Sequence, residues 1–148
     1  MRKSLITIAL FMLLFYLQPI EVKAQSSAIS LTEEEQILLQ QIALAEARDQ
    51  GIGGMAFVMQ TILNRVESEE FPDTISEVVF EEGQFATVND DLYKKYEITE
   101  NSQKALKLLS VLENRGQLYF EAPADKTDTW HARNLTYAFE YEDHIFYK

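Results

Sequence analysis

The sequence predicts an α+β domain, with helices first and a small antiparallel sheet last. Three observations predict it. Apolar residues recur at helical spacing as far as Leu112. Past Gly116 the pattern changes to short aromatic-rich segments, which suit strands. The 148 residues are 47% hydrophobic with only 5 Gly and 3 Pro, a composition that builds a core and excludes collagen-like and disordered classes. The length suits one domain. With no Cys, a disulfide framework and a zinc–thiolate site are both excluded. The charge narrows the partners further. The chain carries 13 Lys+Arg against 24 Asp+Glu, a net charge of −11. Such a surface repels phosphate backbones, so no nucleic-acid partner is expected, and anionic membrane surfaces are disfavoured.

Residues 1–24 read as a secretory signal peptide. Arg2 and Lys3 precede an apolar run from Leu5 to Leu17, and Val22-Lys23-Ala24 is a small-residue exit with cleavage expected after Ala24. Gln18, Pro19 and Glu21 interrupt the run before it reaches the ~20 residues of a membrane span. The alternative is an uncleaved anchor; either way the remainder is expected to be exported. Residues 25–32 form a polar leader, and residues 33–148 the folded domain.

The first helix is predicted over Glu33–Ala47, opened by a capping box of Thr32 with Glu35. Asp49 to Gly54 is predicted to break it, and a second helix to run over Met55–Val66 with one apolar stripe, Met55, Val58, Met59, Ile62 and Val66. Asp73 or Thr74 caps a short helix carrying Ile75, Val78 and Val79; Gln84-Phe85-Ala86 begins a loop. A third long helix starts at Thr99 or Asn101, shows Ala105, Leu108, Leu109 and Leu112, and stops at Gly116. Strands are predicted around Leu118-Tyr119-Phe120, Tyr137–Tyr141 and His144–Tyr147, with turn material over Pro123–Asp128.

The chemistry must come from few candidates. There is no cysteine nucleophile, no serine elbow, no phosphate-cradling glycine loop and no H-E-x-x-H pair. His131 and His144 are the two histidines, so a metal site, and any cofactor, is not expected. Carboxylates remain. Most glutamates sit in solvated runs, but Glu46 stands between alanines, four residues after Ile42 and eight after Leu38, on the apolar face. Partial desolvation there raises a carboxyl pKa, as a general acid for glycosidic cleavage requires. The competing reading is a structural ion pair of Glu46 with Arg48 or Arg65.

Ala45-Glu46-Ala47-Arg48 and the run Gly54–Val66, with Asn64-Arg65 near its end, resemble the opening of the SleB/CwlJ family of cell wall hydrolases, which includes spore cortex-lytic enzymes. The resemblance continues through Phe71–Ile75, Val78-Val79, Gln84-Phe85, Ala105-Leu106, Leu118–Phe120, Trp130 and His144–Tyr147. It implies a lysozyme-like catalytic domain over residues 33–148 that cuts peptidoglycan glycan strands, with Glu46 as catalytic acid/base and a lytic transglycosylase mechanism between N-acetylmuramic acid and N-acetylglucosamine. Two positions depart from the family. Asp49-Gln50 stands where Gly-Glu is usual, and Ala86 where Ser is usual.

Substrate contacts are expected from Gln84 (its amide to an N-acetyl group), Phe85, Trp130 (stacking on a sugar) and Tyr147. Supporting roles fall to Asp49, Asn64, Arg65 and His144, with helix capping and an ion pair toward the Glu46 region expected of Asn64-Arg65. Peptidoglycan strands, with accessory cell-wall proteins, are the expected partners. Two readings from other classes stand beside this one: a catalytically impaired peptidoglycan-binding or regulatory module, motivated by the two departures, and a metal amidase using His131 and His144.

Overall fold

The computed structural model describes residues 30–89, 91–123 and 128–148. The expected signal peptide, most of the expected polar leader and most of the Pro123–Asp128 turn lie outside the described residues. No helix among the described residues is long and apolar enough to cross a membrane.

Helix α1 spans Glu33–Ala47, as predicted. Its capping box forms in full: Thr32 Oγ1 accepts from the Glu35 amide, and a Glu35 carboxylate oxygen accepts from the Thr32 amide. A 3-10 turn over Arg48–Gln50 leads to Gly51, whose φ of 68° turns the chain in a way that only glycine adopts without strain. Helix α2 then runs over Gly51–Val66. It therefore starts four residues earlier than predicted, and Gly53 and Gly54 are helical. Packing overrides propensity here: a Cβ on Gly53 would collide with the Tyr141 phenol, and one on Gly54 with the Gln50 side chain.

The single apolar stripe expected of α2 is also corrected. Every residue from Gly54 to Arg65 is buried, as in a helix enclosed on all sides. Helix α1 packs along it, joined by α3 (Ile75–Phe80, capped by Thr74) and α5 (Glu100–Leu108, capped by Thr99). Leu39, Ile42, Met55, Met59, Ile62, Val78 and Val79 fill the space between them. Two short elements were not expected, helix α4 (Ala86–Asn89) and a 3-10 turn over Leu92–Lys95. Helix α5 ends at Leu108 rather than running to Gly116. Ser110 Oγ takes the Lys107 carbonyl at 3.0 Å, competing with helix continuation. Gly116, with φ 68°, instead turns the chain toward the sheet.

The sheet comprises β1 (Tyr119–Glu121), β2 (Tyr137–Tyr141) and β3 (His144–Tyr147), all antiparallel in the order β1-β3-β2. A short helix α6 (Trp130–Asn134), absent from the sequence prediction, precedes β2 and is capped by Thr129. Central β3 pairs Phe146 with Phe120 on one side and Phe139 on the other. Phe57 of α2 closes this second core at ring-centroid distances of 4.8 Å from Phe139 and 5.6 Å from Phe146.

The tight seat of Gly53 makes a prediction opposite to helix propensity. Gly→Ala inside a helix ordinarily gains about 1 kcal/mol. Gly53→Ala must displace Tyr141 and is expected to lose about 1–3 kcal/mol instead, measured by urea unfolding. A gain would show that the tyrosine moves aside without loss.

Candidate functional site

Glu46 is the penultimate residue of α1, directly before the 3-10 corner. Its period-four relation to Ile42 puts its Cβ on the core side, but the chain turns there, and the residue is half-buried rather than sealed. Thr87 of α4 donates its hydroxyl to Glu46 Oε1 at 2.8 Å. Neither arginine considered as a partner pairs with it. Arg48 lies over the Tyr96 ring and beside Asp49. Arg65 is engaged elsewhere. Glu46 is thus a carboxylate that reaches the surface, held by a neutral donor and, among the described residues, by no cation.

Thr87 is placed by its neighbour Phe85, which is buried in the helical core. The Phe85 ring lies 6.3 Å from that of Phe120 on β1 and 5.4 Å from the Arg65 guanidinium. Arg65 is 4% exposed. It sits over the rings of Phe71, Phe85 and Tyr119, and its Nε donates to the Leu118 carbonyl at 2.7 Å. Burial pulls its pKa down to about 10, against the opposing pull of Tyr119 and Glu81. Immediately before it, Asn64 Nδ2 donates to the Gln117 carbonyl at 2.8 Å and Asn64 Oδ1 accepts from Asn114 at 2.7 Å. Gln60, one turn before Asn64, accepts from the fully buried Gln117 side chain at 2.9 Å. The expectation of helix capping and an ion pair toward Glu46 is therefore corrected. Asn64 and Arg65 tie α2 to the segment entering β1, because that segment brings unpaired backbone carbonyls against a buried helix.

The other expected site residues divide into two places. Trp130 is 62% exposed and meets its neighbour His131 edge-on. Tyr147 is buried, with its hydroxyl on Glu121 Oε1 at 2.8 Å; burial and the adjacent Glu121 both raise its pKa. Glu121 also accepts from Thr129 at 2.5 Å and meets His131 Nδ1 at 2.9 Å. Sequence reasoning missed this group, whose signal was one acid ending an aromatic strand. Strand alternation places His144 on the opposite face, edge-on to Phe120 and Phe146, with burial lowering its pKa. The two histidines therefore do not meet, which removes the geometry a shared metal would need. Among the described residues no cluster of three or more His, Asp or Glu is arranged for a metal ion.

Gln84 is half-buried, its backbone amide closing a turn on the Glu81 carbonyl at 3.2 Å. The departure at Asp49-Gln50 has a structural outcome. Asp49 is exposed. Gln50 clasps the β2–β3 turn, accepting from the Asp143 amide at 2.8 Å and donating to the Asp143 carboxylate at 3.4 Å. A glutamate at that position would set two carboxylates against each other. At the other departure, Ala86 is exposed, and the hydroxyl beside Glu46 comes from the next residue, Thr87.

A family model described as Cell Wall Hydrolase matches residues 49–147. Among solved structures, the catalytic domain of the germination-specific lytic transglycosylase SleB from Bacillus anthracis is 26% identical with a TM-score of 0.69, over 81% of this chain and 98% of that one. The catalytic domain of the Bacillus cereus SleB protein is 28% identical with a TM-score of 0.65, over 80% of this chain and 94% of that one. No curated protein matches the chain.

Proposed function

We propose that this chain, which belongs to the cell wall hydrolase family, is an exported enzyme that cuts peptidoglycan glycan strands as a lytic transglycosylase, with Glu46 as general acid and then base. Residues 33–148 form its catalytic domain, and residues 1–24 direct its export. The observation that carries the reading is Glu46 itself: half-buried at a helix corner, bonded to a neutral hydroxyl and unpaired with either neighbouring arginine. The likeness to a SleB lytic transglycosylase domain supports it.

In this mechanism protonated Glu46 delivers its proton to the oxygen joining C1 of N-acetylmuramic acid to N-acetylglucosamine. The C1–O bond breaks, and positive charge develops on the muramoyl ring. The resulting carboxylate stabilises that charge. It then accepts the proton of the muramoyl 6-hydroxyl as that oxygen closes onto C1. The proton returns to Glu46, the product is a 1,6-anhydro sugar, and no second carboxylate is required, unlike in most glycosidases. The exposed position of Asp49 and the use of Gln50 in the hairpin clasp suit a one-carboxylate scheme. Trp130 and Gln84, which reach the surface, are the proposed substrate-binding side chains, with the buried Phe85 and Tyr147 as structural supports.

Mass spectrometry of sacculi digested with the purified protein tests the proposal. Anhydro-muramoyl ends are expected. Reducing muramoyl ends would make the enzyme a hydrolase. No soluble product, with the protein retained on sacculi, would make it a binding module.

A further inference from the structure

We propose that Thr87 is a positioning residue that fixes which oxygen of Glu46 carries the catalytic proton; this rests on the reading of Glu46 given above. The Thr87 hydroxyl donates to Oε1 at 2.8 Å, so that oxygen already holds a hydrogen-bonded proton from its neighbour. Protonation then falls on Oε2, which is left as the oxygen that delivers and recovers the proton. The contact also holds the carboxyl plane in one orientation, and a misplaced acid loses rate steeply.

The contact is not incidental to the fold. Residues 46 and 87 are 41 positions apart, and the short helix α4 is held in place by contacts of its own. Phe85 anchors its start in the core beside Arg65 and Phe120, while backbone bonds from Val88 to Phe85 and from Asp91 to Val88 keep the turn closed. The hydroxyl is thus carried on a braced segment, not on a free loop. Glu46 has a hydroxyl partner whose donor survives when the carboxyl is ionised and whose neutrality leaves the carboxylate's charge available to the reacting sugar. A lysine or arginine in that place would neutralise the same charge.

The test compares Thr87→Val and Thr87→Ser with the parent on a soluble peptidoglycan oligomer. Thr87→Val keeps the shape and removes the donor. It is expected to lower kcat about tenfold, the size of one charge-assisted hydrogen bond, with KM within about twofold and an unchanged melting temperature. Thr87→Ser is expected to restore kcat to within about threefold. Equal kcat for valine and parent would overturn the proposal. So would a loss in valine that serine does not restore, or a loss carried by KM or by stability. Glu46→Gln is assayed alongside. If that variant retains activity, the reading of Glu46 itself fails; if it is inactive while Thr87→Val matches the parent, only the role of Thr87 fails.

Discussion

Glu46→Gln is expected to fold as the parent does and to lose about 10²- to 10⁴-fold of its activity on sacculi, the range that a general acid–base group supplies. The substitution preserves shape and keeps an oxygen able to accept from Thr87. It removes only the exchangeable proton and the charge. Because Glu46 is half-buried and has no ion pair among the described residues, the substitution leaves no orphaned cation in the interior. Thermal melting should therefore stay within the small range of surface substitutions, about ±0.5 kcal/mol. Turbidity clearing of sacculi gives the activity and circular dichroism the fold. Clearing at the parental rate would remove Glu46 from the chemistry.

The second large effect concerns stability. Arg65→Ala empties the space between three aromatic rings, strands the Leu118 carbonyl and detaches β1 from the central helix. Cavity formation and a lost buried hydrogen bond together are expected to cost about 3–5 kcal/mol. That is a large share of the roughly 5–15 kcal/mol that holds a domain folded. Arg65→Met keeps the volume and the ring contacts but not the donor, so its loss should be smaller, about 1–3 kcal/mol. Urea unfolding of both variants measures the difference. An alanine variant as stable as the methionine one would show that the guanidinium cage contributes nothing by packing.

Much of the architecture was legible because its signals are local. Thr32 and Glu35 stand three residues apart and cap α1 on their own, and the 3.6-residue spacing of Leu38, Ile42 and Ala45 carries the helix from there. The aromatic segments became strands for a similarly local reason: their side chains fit a pleated, buried surface. Most of the misreadings have one physical source, contacts between residues distant in sequence. The glycines at 53 and 54 signal a break to any local rule, yet they are helical, with Tyr141 occupying the space a side chain at 53 would need and Gln50 the space of one at 54. The buried polar residues Asn64 and Arg65 read as a helix end. Together with Gln60 they are the attachment for a segment 53 to 57 positions further on. Glu46 stood out by its alanine neighbours and by its resemblance to a known opening, but Thr87 did not, because one hydroxyl in a short polar stretch has no pattern. The Glu121 group was equally hidden, its partners Thr129 and Tyr147 lying 8 and 26 residues away.

The Gln50 clasp on the β2–β3 hairpin has a consequence for the medium in which such a protein works. Ion pairs loosen as counterions accumulate, and a wall polymer is rich in them. The joint beside the Glu46 corner is fastened by a neutral side-chain amide, to the Asp143 N–H at 2.8 Å and to its carboxylate at 3.4 Å, so it contains no pair of opposite charges to shield. The hairpin therefore keeps its spacing from that corner in brackish and in dilute surroundings alike, even though the molecule as a whole is strongly anionic.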